Sequence, residues 1–68
     1  MIEIKTFITD SQPPTEEELI EAVNICEKDG CAIKLEYVMF GKNYTCFITE
    51  NVDPVNTAKQ LRERVWVS

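Results

Sequence analysis

The side chains with the most chemical potential are three cysteines, Cys26, Cys31 and Cys46, a run of glutamates at 16–18, and six aromatic rings; histidine is absent. Each group suggests a different chemistry. Thiolates could bind a metal or attack an electrophile. Neighbouring carboxylates could act as acid and base. Exposed rings could stack on bases or dock on a protein.

The cysteines do not have metal-site spacing. They are separated by four and fourteen residues, without the paired Cys-x-x-Cys or the His partners of a zinc site. No metal and no cofactor is expected. A reactive thiol needs a nearby cation or a helix N-terminus, and Cys26 falls near the end of an expected helix. Small buried hydrophobes are the expected role for all three. Their odd number, and a start in which Met1 leads directly into Ile2–Lys5 without a basic and then apolar leader, predict reduced thiols and a cytoplasmic location. No apolar run is long enough to cross a bilayer.

The glutamates are explained locally. In Thr15-Glu16-Glu17-Glu18, the Thr15 hydroxyl can accept from the Glu18 N–H while the Glu18 carboxylate accepts from the Thr15 N–H. Carboxylates in a first turn also suit the positive end of the helix dipole. With no histidine, no Gly-rich phosphate loop and no nucleophile elbow, the chain is expected not to be an enzyme.

The elements that hold these residues follow from periodicity. Residues 2–9 alternate as a strand, with Ile2, Ile4, Thr6 and Ile8 on one side and Glu3, Lys5, Phe7 and Thr9 on the other. After the Pro13-Pro14 break, Leu19, Ile20, Ala22, Val23 and Cys26 form one helical stripe, with Ile25 at its margin. Gly30 offers a left-handed stop. Residues 31–40 alternate again: Ile33, Leu35, Tyr37 and Met39 oppose Lys34, Glu36, Val38 and Phe40. A turn at Gly41-Lys42 or Lys42-Asn43 would set Tyr44, Cys46 and Ile48 on the Leu35 side, with the register left open. Asp53-Pro54 opens a second helix, with a stripe of Pro54, Ala58, Leu61 and Val65. Residues 65–68 read either as its frayed end or as a short last strand.

The reading is thus one small α+β domain spanning residues 1–68, a two-layer sandwich of order β-α-β-β-α(-β) with both helices on one sheet face. This order resembles a ferredoxin-like fold, complete or truncated. Such a resemblance implies that the first strand pairs with the third.

Charge narrows the partners. The chain carries a net −5, which argues against duplex nucleic acid, where phosphate neutralisation dominates affinity. Nine acids and three bases fall in residues 1–36, three acids and four bases in residues 37–68.

Three functional readings remain. The first is a non-catalytic protein-binding module, with a protein partner or a second copy docking on the open sheet face through Phe7, Val38, Phe40 and Phe47, with Trp66 nearby. The second is an acidic inhibitor that presents Glu16, Glu17, Glu18 and Glu21 to a basic, nucleic-acid-binding protein. The third is a weak single-stranded RNA binder using Phe7 and Phe47 as a stacking pair. For that reading Lys42 and Tyr44 faintly resemble an RNA-recognition signature, but Asn43 stands where the motif has Gly and Cys46 where it has an aromatic.

Overall fold

The computed structural model describes the backbone of residues 2–67 and the side chains of residues 2–63. The elements are β1 (Ile4–Ile8), α1 (Glu16–Asp29), β2 (Ala32–Met39), β3 (Lys42–Ile48) and α2 (Pro54–Val67). They form an α+β structure with a three-stranded mixed sheet in the order β1-β2-β3. β1 runs parallel to β2, and β2 runs antiparallel to β3.

Both helix starts form as their sequences dictate. In α1 the Glu18 N–H donates to Thr15 Oγ1 at 3.2 Å, and the Thr15 N–H donates to Glu18 Oε1 at 2.9 Å. Gly30 ends the helix at φ 63°, its N–H donating to the Cys26 carbonyl at 2.9 Å. In α2, Asp53 Oδ1 accepts from the N–H groups of Val55 and Asn56, each at 3.1 Å. The helix continues through Val67, so residues 65–67 are helical rather than a last strand; Ser68 lies outside the described residues.

One core cluster joins the helices to one side of the sheet. Leu19, Ala22, Val23 and Cys26 of α1 pack with Ile33 and Leu35 of β2, Ile48 of β3, and Ala58 and Leu61 of α2. Cys26 and Cys31 are buried in it and Cys46 packs against it. The Cys26 thiol also donates to the Ile48 carbonyl at 3.4 Å. Ile20, expected in the apolar stripe, is instead exposed at the edge of α1. The stripe that meets the sheet is narrower than the run of apolar residues.

The topology departs from the ferredoxin-like expectation. Among the described residues β1 pairs with β2, not with β3. The β1-α1-β2 crossover brings successive parallel strands side by side, and the tight hairpin then carries β3 to the far side of β2.

The hairpin register also differs. The two turn residues are Phe40 and Gly41, both at positive φ (55° and 73°). That geometry matches a type I′ turn, whose twist suits the flanking strands. Met39 therefore faces Lys42, Tyr37 faces Tyr44, and Leu35 faces Cys46. Relative to a turn at Gly41-Lys42 the register shifts by two residues, so every side chain keeps its expected face. Tyr37 and Tyr44 stack with ring centroids 5.5 Å apart.

Candidate protein-binding surfaces

The face of each β1 side chain is fixed by its pairing. Phe7 is level with Leu35 and Lys5 with Ile33. Leu35 and Ile33 face the helices, so Phe7, Lys5 and Thr9 do too. Ile4, Thr6 and Ile8 turn to the open side. This reverses the expected faces of the first strand and removes Phe7 from the open-face patch. The strand has apolar residues on both parities, so its own alternation does not decide between them. The ends of α1 do. Lys5 Nζ meets Asp29 Oδ2 at 2.9 Å, and the Thr9 hydroxyl donates to Glu18. Polar residues on this side of β1 therefore have partners.

The open face carries Ile4, Thr6 and Ile8 from β1, Lys34, Glu36 and Val38 from β2, and Asn43, Thr45 and Phe47 from β3. Ile8 is 80% exposed and Phe47 62%, with Ile4 and Val38 also uncovered. Lys34 Nζ lies 3.5 Å from Glu36 Oε1. Among the described residues these are the face's charged groups, so it is electrically neutral on a chain of net −5. Phe40 sits apart, 69% exposed at the hairpin tip. The Trp66 side chain lies outside the described residues. Of the rings expected on the patch, Phe47 is on the face, Phe40 at its end, and Phe7 on the reverse. The stacking pair that the RNA reading needs is therefore split between two sides of the sheet.

The acidic surface is distinct. Glu17 and Glu21 are exposed on α1, and Glu16 is half-buried. Glu18 is committed to the fold. Partial burial pushes its carboxyl up, but hydrogen bonds from the Thr15 backbone and from the hydroxyls of Thr9, Ser11 and Thr15 outweigh this and hold it at about 2. At neutral pH it is a fixed negative charge. Lys5 and Asp29 stabilise one another's charged forms, chiefly through their hydrogen bond, raising the first pKa and lowering the second. Burial pushes the Cys26 thiol up, which suits a packed side chain rather than a nucleophile.

A third feature escaped sequence reasoning. α1 packs on β2 and β3 and reaches the β1 side through Asp29 and Glu18 near its two ends. The helix side of β1 is left partly bare, and Phe7 remains 44% exposed. Between β1 and α1 runs a groove of about 190 Å³, floored by Phe7, Ala22, Ile25 and Leu35 and rimmed by Glu18 and Glu21. The signal that could have revealed it is the parity of Phe7, which only the β1–β2 register supplies.

Among the described residues, no group of three or more His, Cys, Asp or Glu side chains could hold a metal ion, and no helix is long and apolar enough to cross a membrane. The chain matches no protein-family model, no curated protein and no solved structure.

Proposed function

We propose that the chain is a non-catalytic protein-binding module whose contact surface is the open sheet face. The observation that carries this reading is the uncovered group Ile4, Ile8, Val38 and Phe47 around a neutral Lys34–Glu36 pair. Exposed apolar groups gathered on one surface mark contact sites. Neutrality matters as much as apolarity. A protein of net −5 repels acidic surfaces, and this face lets a partner, including a second copy, approach without meeting the carboxylates of α1. The double change Ile8→Ser/Phe47→Ser removes the two most exposed apolar groups of the face while leaving the core cluster untouched. Association, followed by sedimentation velocity for self-contact and by co-purification for a partner, should be lost while the circular dichroism spectrum is retained. Association unchanged by the double variant would refute the assignment.

The exposure of Glu17 and Glu21 on one helix favours a second reading, an acidic inhibitor of a basic protein. Salt separates the two. Binding through α1 should weaken steeply between about 50 mM and about 500 mM salt as screening shortens, whereas binding through the neutral face should change little.

A further inference from the structure

We infer that the groove between β1 and α1, together with the free edge of β1, is a second binding site that takes an extended peptide strand, antiparallel to β1, with an apolar side chain two residues after a lysine or arginine. This goes beyond the open-face reading and uses a different surface.

The edge provides the backbone contacts. The Ala32 N–H donates to the Glu3 carbonyl at 2.9 Å, and the Thr9 N–H donates to the Glu36 carbonyl at 3.0 Å. Residues 3, 5, 7 and 9 thus turn their backbone groups inward to β2. By the period of two, the N–H and C=O groups of Ile4, Thr6 and Ile8 turn outward. β1 is an edge strand of the sheet, so these groups form a template for an added strand.

The groove provides side-chain selection. Residues of the added strand level with Lys5, Phe7 and Thr9 place their side chains on the helix side. The one level with Phe7 enters the space between Phe7 and Ile25, over an apolar floor. Its neighbour level with Thr9 reaches the end where Glu18 and Glu21 form the rim. At the other end, Lys5 is already paired with Asp29 at 2.9 Å and has Glu3 at 3.9 Å. The site is therefore asymmetric: two carboxylates without a cation beside Thr9, and two sharing the Lys5 ammonium at the far end. In an antiparallel strand the Thr9 end meets the peptide's earlier residues, which places the basic residue before the apolar one. Charge complementarity selects this occupant over a second copy, whose own β1 reads Ile-Lys-Thr-Phe-Ile. There Lys and Phe have the right spacing, but the Lys side chain is already paired within its own protomer.

The probe is the acetylated and amidated heptapeptide Thr-Lys-Val-Leu-Val-Thr-Thr, titrated into the ¹⁵N-labelled 68-residue chain. Amide shifts should concentrate at Ile4, Thr6, Ile8, Ala22 and Ile25. Changing the peptide's Leu to Ala should weaken binding about tenfold, the effect of losing three half-buried carbon groups. Changing its Lys to Glu, or Glu21→Lys in the protein, should weaken it about fivefold, the scale of an exposed ion pair. N-methylation of both valines, whose N–H groups point at β1, should abolish binding, while N-methylation of the leucine, whose N–H points away, should not. No shifts, or shifts confined to Val38, Thr45 and Phe47, overturn the proposal. So does binding indifferent to valine methylation or to the Lys→Glu change. Concentration-dependent shifts without peptide that reach Ala22 and Ile25 as well as β1 would assign the edge and groove to a second copy and equally overturn it. A Val38→Ser/Phe47→Ser variant changes the open face without touching a residue that lines the groove, so its failure to self-associate leaves peptide binding readable on its own.

Discussion

Replacing Glu18 by Gln isolates how much one carboxylate contributes to the fold. The folded carboxyl titrates at about 2 against an ordinary 4.5. Each unit corresponds to about 1.4 kcal/mol, so the full shift converts to about 3 kcal/mol. Solvent screening at a partly exposed site reduces this to about 1–2 kcal/mol, in line with a helix cap. The sign follows from the direction. A depressed carboxylate stabilises fully above its unfolded pKa near 4.5, and that contribution disappears as pH falls through its folded value near 2. Glu18→Gln keeps an oxygen for the Thr15 N–H and removes the charge. At about pH 7 the variant should melt lower by about 5–15 °C, given about 4–8 °C per kcal/mol for a domain of this size. The gap should narrow below about pH 5 and nearly vanish by about pH 2. Thermal melts of both proteins across that range decide the matter, because the other carboxylates titrate alike in both. A gap that stays constant with pH would show that Glu18 acts through geometry alone and would refute the electrostatic account.

Other perturbations test the fold and its surfaces. Phe40→Asn should stabilise the protein by about 0.5–1 kcal/mol, because Asn tolerates the left-handed φ of 55° that Phe40 adopts and Asn-Gly is the preferred type I′ pair; destabilisation in urea titrations would place the turn elsewhere. Ile48, fully buried against α1, should cost about 0.5–1.5 kcal/mol as Ile48→Val, and Leu19→Ala about 2–5 kcal/mol, enough to leave a domain this small largely unfolded by circular dichroism. Under native conditions iodoacetamide should label Cys46 before Cys26 and Cys31, which are buried; equal rates by mass spectrometry would contradict the core. Lys5→Ala should leave the melting temperature almost unchanged, since its partner Asp29 is solvent-exposed.

How far the sequence reads depends on whether the deciding interactions are local. The capping box at Thr15–Glu18, the Gly30 stop and the Asp53 cap use residues within a few positions of one another, and composition dictates them. The buried sides of α1, β2 and β3 are also legible, because each has a clear apolar parity. β1 is different. Ile4 and Ile8 oppose Phe7, and which side faces the core is settled by pairing with a strand 28 residues later in the chain. The hairpin shows the same limit on a smaller scale. A turn at Gly41-Lys42 and the observed one at Phe40-Gly41 preserve the same faces, so hydrophobic patterning cannot separate them. The twist of the strands favours the turn in which both central residues have positive φ, even though one of them is Phe. The open-face patch was therefore visible from Val38 and Phe47 but not from Ile4 and Ile8, and the groove beside Phe7 was not visible at all.

The placement of charge ties the two surfaces together. The acids of α1 crowd its first turn and its outward side, and Glu18, on the rim of the groove beside β1, is held ionised by four hydrogen-bonding groups. Among the described residues, the open face keeps only the Lys34–Glu36 pair. A partner arriving at the open face meets a neutral, apolar surface, with the acids of α1 on the far side of the sheet, where ionic screening over about 8 Å at physiological salt attenuates them. A strand arriving at the β1 edge meets both environments at once, its outward side chains beside Ile4 and Ile8 and its inward ones under Glu18 and Glu21. The two surfaces therefore differ in salt response although they share β1. Raising ionic strength should weaken contacts in the groove and leave contacts on the open face in place. If both weakened in parallel, the carboxylates of α1 would be acting across the sheet, and the separation of charge on which both assignments rest would fail.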